Sequence, residues 1–394
     1  MRSRAYRALT LVAAGTLVAA CTSVGSSKAS PVQVGLVYSR SGLLAAYGKQ
    51  YEVGFRAGLD YATHGTNEIE GHPIQVTEHD DAGDPATAVA ATRTLIGKGF
   101  KIIAGTTDSG VALQMAPLAA QNKVLYISGP AATDAVTSGN PYTFRSGRQV
   151  YQDVRAAETL LGDVASKKIT VLAQDSVFGR ANLAAVRAIL GDKGAHVVSV
   201  LAPLSVADLT PFARQTKATR PDVVFVAWSG TTTAGLWTAL KQQGVPRASK
   251  VVTALSGTAS YPIFAPADAN VVFFAHYFPG ATGDNAVERA MLDGITNAGG
   301  TPDLFSVDGF TAAQMIVHAV SSGSSTDTAA MAKALEGWTF NGPKGREHIR
   351  ARDHALLQPM FTARLRGRGS AAKPELVSSI PMMAVAPPEN MPEG

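Results

Sequence analysis

The chain has 394 residues, 46% of them hydrophobic, 16% charged and 7% aromatic, enough for two packed domains and far too apolar for a disordered chain. Lysine and arginine exceed aspartate and glutamate by 35 − 30 = 5, but Arg2, Arg4 and Arg7 fall among twenty residues that hold no acid, leaving 32 − 30 = +2 for the rest. A surplus that small argues against a nucleic-acid partner.

Chain order begins with Met-Arg-Ser-Arg-Ala-Tyr-Arg and an apolar run from Ala8 to Ala20, broken by Thr10, Gly15 and Thr16. These are the charged and apolar regions of a secretory signal, residues 1–20, too short for a comfortable membrane span. Val18-Ala19-Ala20-Cys21 resembles a bacterial lipobox, which implies lipidation of Cys21; a plain signal peptide with an incidental cysteine is the alternative. Cys21 is the one cysteine in the sequence, so no internal disulfide is expected and the lobes rely on burial. Polar residues after Cys21 make residues 21–30 a lipidated cysteine with a flexible tether of roughly 17 Å root-mean-square span. Later apolar runs, such as Val223–Trp228 and Val271–Ala275, are only strand-length.

From Val32 strands and helices alternate. Val32–Tyr38 is an apolar, β-branched strand; Tyr51, Phe55 and Leu59 space a helix over Tyr47–Tyr61; Ile74–Glu78 is a strand and Pro85–Ile96 a helix. Strand Lys101–Ala104, helix Val111–Ala120 and strand Val124–Ser128 continue the series. Strands that are continuously apolar and separated by helices predict a parallel sheet covered on both faces, hence an α/β fold. A second series follows: helix Val150–Leu161, strand Ile169–Ala173, helix Arg180–Leu190, strand Val197–Val200, helix Leu209–Lys217, strand Val223–Trp228, helix Ala234–Gln243 and strand Val251–Leu255. Two such series predict two similar doubly wound lobes. Segments 141–145 and 271–278 and the β pattern after Lys344 break the rhythm and predict three crossovers, a hinge able to close the lobes on a ligand. The expected division is 31–145 plus 277–343 for lobe 1 and 146–276 plus 344–394 for lobe 2.

Val34-Gly35, Ser41-Gly42, Tyr47-Gly48, Asp80-Asp81, Asp84-Pro85, Ser109, Pro130-Ala131-Ala132-Thr133, Phe144-Arg145, Phe178-Gly179, Gly342-Pro343 and Asp353-His354 occur in an order and spacing that carry a resemblance. The chain resembles a type I periplasmic binding protein of the leucine, isoleucine and valine class, the solute receptor of an ATP-driven (ABC) importer. The resemblance implies a non-enzyme without cofactor, monomeric, partnered by a small-molecule solute and permease subunits. With Cys21 lipidated, it implies a place on the outer face of a bacterial cytoplasmic membrane.

In open parallel sheets, ligands collect beyond the carboxyl ends of the strands, which selects loops 39–47, 105–110, 128–133, 174–179, 228–233 and 255–258. The resemblance implies that Ser109 and Thr133, beside Ala131, hold a ligand carboxylate while Tyr47 covers it. Helix capping is the structural alternative for both hydroxyls. The second lobe departs from the branched-chain pattern: Phe178 stands where a tyrosine is common, Trp228 and Ser229 where another aromatic is common, and Ser256 where an acid neutralises the ligand's ammonium. A buried cation without a countercharge is costly, so an amino-acid ligand requires Asp108 or Asp308 instead. Tyr47, Phe178, Trp228 and Phe305 with Ser256 would equally suit an apolar or aromatic carboxylate.

Asp80, Asp81 and Asp84 lack calcium-loop spacing, and Asp84-Pro85 is a helix start. His276, His348 and His354 lack zinc-ligand spacing, so no metal is expected. No nucleophile elbow, dinucleotide fingerprint, phosphate loop or His-Glu-x-x-His occurs, which leaves a lipoprotein hydrolase the weakest alternative. A ligand-sensing surface receptor remains open beside import.

Overall fold

A computed structural model describes residues 29–137, 139–264 and 270–389. The expected signal sequence over residues 1–20, Cys21 and most of the expected tether therefore lie outside the described residues. The first sheet is built from β1 (Val32–Tyr38), β2 (Glu68–Ile69), β3 (His72–Asp80), β4 (Ile102–Ala104), β5 (Leu125–Ser128) and β6 (Thr143–Arg145), in the order β2-β3-β1-β4-β5-β6. All its pairings are parallel except the β2–β3 hairpin. Helices α1 (Ala45–Ala62), α2 (Pro85–Gly97) and α3 (Ser109–Asn122) connect the strands. Continuous burial of β1, β4 and β5 follows from this cover on both faces. Asp84 caps α2 by accepting the Thr87 N–H at 2.7 Å, with Pro85 at the first position, as the sequence predicts.

The second lobe opens with α4 (Val150–Glu158), β7 (Lys168–Gln174), α5 (Val177–Val186), β8 (His196–Ala202), α6 (Thr210–Ala218), β9 (Val223–Ala227), α7 (Thr233–Gln242), α8 (Val245–Ala248), β10 (Lys250–Ala254), α9 (Tyr261–Phe264) and β11 (Val271–Ala275). A π turn over Arg187–Gly191 extends α5, which accounts for the longer helix read from the sequence. The chain then returns to the first lobe with α10 (Ala286–Asn297), α11 (Ser306–Ser322) and α12 (Thr328–Leu335). Ala312, Ala313, Met315 and Ile316 of α11 and Met331 of α12 share one core with Val34, Ile102 and Leu125.

The last change of lobe differs from expectation. Strand β12 (Thr339–Gly342) pairs antiparallel with β13 (Gly345–Ile349), which pairs with β14 (Leu356–Leu357). Phe340, Ile349 and Leu356 lie in the first lobe's core. Residues 344–357 therefore stay with lobe 1, and a boundary at Pro343 would cut a hairpin. Only β15 (Met360–Arg366) and β16 (Lys373–Ile380) join the second sheet, ordered β16-β15-β11-β10-β9-β7-β8, where β15 lies antiparallel to both β11 and β16. The three crossovers thus run through 146–149, just after Ala275, and through Gln358 and Pro359. Gln358 donates to Gln152 at 3.3 Å, tying the third crossing to the first turn of α4. Among the described residues no helix is long and apolar enough to cross a membrane.

Candidate functional site

The carboxyl ends of the strands in both sheets face one cleft that is partly open to solvent. Lobe 1 supplies Leu43, Leu44 and Tyr47 from the start of α1, Thr107, Asp108 and Ser109 from the start of α3, Pro130 and Ala132 after β5, and Phe305 before α11. Asp108 caps α3, its Oδ1 accepting the Gly110 and Val111 N–H groups at 2.7 and 3.0 Å. Ser109 Oγ accepts the Thr133 N–H at 3.3 Å, which joins two of the loops. Asp80 and Asp81 are engaged in shaping the loop ahead of α1: Asp80 accepts the Arg40 N–H at 2.9 Å, and Asp81 accepts the Ser39 hydroxyl at 2.7 Å.

Arg148, in the first crossover, forms the floor. It is 7% exposed, donates from Nη1 to the Pro130 carbonyl at 2.7 Å, and stands with Nε 3.3 Å from Asp153 Oδ2. Its guanidinium carbon lies 5.4 Å from the centre of the Phe305 ring, within cation–π range. Tyr47 meets Phe305 edge to face at 4.7 Å, and His276 stacks behind Phe305 at 5.1 Å. Behind the floor Asp308 is fully buried, 3.6 Å from His276 Nε2 and 3.9 Å from Lys344 Nζ.

Lobe 2 contributes Gln174, Ser176, Phe178, Leu204 and Ser229. Gln174 is held by Ser229: its Oε1 accepts the Ser229 N–H and hydroxyl, each at 3.1 Å, while its Nε2 donates to the Ser229 carbonyl at 3.1 Å. Ser176 caps α5 by accepting the Gly179 N–H at 3.1 Å. The lobes touch at the rim. Gly230 has φ +79°, and a Cβ there would lie 2.6 Å from Leu43 Cγ and 2.7 Å from its carbonyl oxygen, so only glycine fits this approach. The Gly230 N–H also faces the Tyr47 phenol. On the other side Asp303 of lobe 1 accepts the Thr258 N–H at 3.0 Å and hydroxyl at 2.9 Å, and the Gln50 side chain at 2.9 Å.

Tyr47, Asp108, Ser109, Phe178, Ser229 and Phe305 thus share the cleft. Ala131, Thr133, Trp228, Ser256 and Asp308 are not among its lining residues. Ala131 is buried against Ala112 and Val136. The Thr133 carbonyl accepts from Arg145 Nη2 at 2.8 Å. Trp228 packs on the lobe 2 core and donates its Nε1–H to Thr232 at 3.0 Å. Arg148 escaped the sequence reading because the segment around Phe144-Arg145 was read as a crossover and not counted among the strand-end loops, although it leads from β6 into α4; the Gly147-Arg148 pair three residues beyond Phe144-Arg145 was the available signal.

The cleft's electrostatics are simple. Arg148 is its single arginine and Asp108 its single carboxylate among the lining residues. Burial pushes the Asp108 carboxyl up, partly offset by the helix N–H groups it caps. Asp153 is pushed up to about 6 by burial, against the pull of Arg148. His276 is held well below its ordinary value, first by burial and then by Arg148 and Lys344, so it stands neutral behind Phe305.

Residues 31–371 match the family model described as periplasmic binding protein. Leu/Ile/Val-binding protein BraC3 of Rhizobium johnstonii is 27% identical over 197 residues, 49% of this chain and 53% of that protein. That match, and the one to Leu/Ile/Val-binding protein homolog 3 of Brucella melitensis biotype 1, span about half the length of those relatives. Leu/Ile/Val-binding protein homolog 6 of Brucella melitensis biotype 1 is 25% identical over 367 residues, 90% of this chain and 91% of that one. Among solved structures, a solute-binding protein from R. palustris in complex with 4-hydroxybenzoate superposes with TM-score 0.81 at 22% identity, covering 89% of this chain and 96% of that one. An ABC-type branched-chain amino acid transporter protein from Rhodopseudomonas palustris superposes with TM-score 0.70 at 27% identity, covering 90% and 97%. Two α/β lobes crossed three times, a cleft at the carboxyl ends of both sheets and a family match over most of the length lead to one assignment: the chain belongs to the periplasmic binding proteins, as a type I member of the leucine, isoleucine and valine class.

Proposed function

We propose that the chain is an extracytoplasmic receptor that closes its lobes on a small apolar or aromatic carboxylate without an ammonium group, and delivers it to the permease of an ABC importer. The observation that carries this reading is the make-up of the cleft. Tyr47, Phe178 and Phe305 supply rings, Arg148 a positive charge, and the one lining carboxylate, Asp108, already caps a helix. An α-ammonium would find no free acid there, since Asp308 lies behind the floor beside Lys344 and Ser256 is not among the lining residues. Three superposable solute-binding proteins, two in complex with 4-hydroxybenzoate or its acid and one with benzoate, hold ligands of this chemistry. The reading makes the chain a binder rather than an enzyme.

The test is a thermal-shift screen of the tether-free protein against aromatic acids, aliphatic acids and amino acids. A true ligand at a hundredfold excess over Kd stabilises by about 2.7 kcal/mol. Stabilisation by benzoate or 3-phenylpropanoate is expected; stabilisation by amino acids alone contradicts the reading. The same proposal places the protein at a membrane through a lipid on Cys21, the cysteine of Val18-Ala19-Ala20-Cys21. Labelled fatty acid should enter the wild-type chain and not Cys21→Ser; labelling of the serine variant contradicts the anchor.

A further inference from the structure

We infer that Arg148, seated in the crossover rather than in either lobe, is the residue that selects an anion, and that Asp153 competes with the ligand for it. The inference rests on the proposed carboxylate ligand and adds which side chain recognises it.

Three observations converge on Arg148. It lines the cleft floor while 93% buried, so its charge meets the ligand in a poorly screened place. Its hydrogen bonds are incomplete: among the described residues Nη1 donates to Pro130, whereas Nε is buried without a hydrogen-bond partner, its 3.3 Å approach to Asp153 being an ion pair only. A guanidinium offers five N–H donors in a planar fork, and a carboxylate is the group that matches such a fork. Finally, Phe305 lies under the guanidinium and meets Tyr47, so an aromatic ring has a place to stack beside the charge.

Asp153 gives the inference its second half. It comes from α4, which begins at Val150 directly after the crossover, and is 3% exposed. It partly neutralises Arg148 from behind the floor, and Asp308 and Asp134 lie within electrostatic reach of it or of Arg145. A ligand carboxylate must therefore bind a guanidinium whose charge is already shared. Removing Arg148 and removing Asp153 then act in opposite directions on anion affinity, whereas damage to the fold would weaken both variants alike.

The test uses benzoate and its neutral isostere benzamide in calorimetric titrations of the wild-type chain, Arg148→Gln, Asp153→Asn and Ser109→Ala. Arg148→Gln should weaken benzoate about ten- to a hundred-and-fifty-fold and change benzamide by no more than a few fold. Asp153→Asn should tighten benzoate several-fold and leave benzamide alone. Equal losses for both probes in Arg148→Gln, or weaker benzoate binding in Asp153→Asn, would overturn the inference. So would benzoate binding that survives Arg148→Gln and is lost in Ser109→Ala, which would move anion recognition to the hydroxyl. If the wild-type chain binds neither benzoate nor any other carboxylate, the proposed function itself fails; if wild type binds benzoate and Arg148→Gln binds it equally, only the assignment to Arg148 fails.

Discussion

Thr258 and Asp303 sit on opposite lobes and hydrogen-bond to each other across the edge of the cleft. The Thr258 N–H and hydroxyl both donate to the Asp303 carboxylate, which Gln50 helps to hold. A hydrogen bond to a charged acceptor is worth about 1.5–3 kcal/mol, so its loss reduces the closed population and with it the apparent affinity. Thr258→Val keeps shape and removes only the hydroxyl. Benzoate should dissociate at least about tenfold faster from this variant with little change in association rate, as read by stopped-flow displacement. An unchanged dissociation rate would mean that closure does not use this pair. Asp303 had no part in the sequence reading, because nothing near Pro302-Asp303-Leu304 signals a partner some 45 residues away. The loops holding Tyr47, Ser109 and Ser229 were legible because strand ends aim loops at a shared cleft, while the residues within them were singled out by the family resemblance. Which side chain of a loop turns inward was not: Trp228 goes to the core and its neighbour Ser229 to the cleft, a choice settled by Thr232 accepting the indole N–H and by Gln174 holding Ser229.

At the scale of elements, the pairing of α1 with α11 fixes the back of lobe 1. Gly54 and Gly58 on α1 and Gly309 on α11 face the partner backbone, where a Cβ would run into Ser306, Phe310 and Tyr51. Close contact carries Asp308 into the protein, beside β13 and the third crossover. There Lys344 bonds the Gln358 side chain, and Glu347 is fully buried with both carboxylate oxygens lacking a hydrogen-bond partner among the described residues. Burial pushes Glu347 up to about 7 and Asp308 up to about 6, opposed in each case by Lys344. Acids whose folded pKa is raised favour folding while protonated, and that contribution is lost as pH rises through the folded value. The buried rings of His276 and His354 are pushed down from 6.5 and act the other way, costing stability as pH falls below that value. Between pH 6.5 and pH 8 the wild type should lose urea-unfolding stability relative to Glu347→Gln, because it alone gives up the contribution of a protonated Glu347. A stability difference between the two proteins that stays constant across that range would contradict this account of the hinge. The β12–β13–β14 hairpin explains why the sequence misplaced the crossover: the short β pattern after Lys344 was visible, but its pairing back onto Thr339–Gly342 was not.

Across the whole molecule, the alternation of apolar strands and amphipathic helices made the two-lobe α/β architecture legible, since parallel strands buried on both faces leave a pattern that tolerates little polarity. Helices α10 to α12 fall within residues 277–343, the span the sequence reading gave to lobe 1 without naming its helices. Ligand choice is a property of the molecule at this scale, because the rings of lobe 1, Phe178 of lobe 2 and Arg148 of the crossover come together only when three segments are assembled. The most direct measurement is a pair of calorimetric titrations of the chain from residue 31 onward, one with phenylalanine and one with 3-phenylpropanoate, which differ only in the α-ammonium. The cleft described here predicts that 3-phenylpropanoate binds at least as tightly as phenylalanine; binding of phenylalanine with none of the deaminated acid would require an acid facing the ligand and would contradict it.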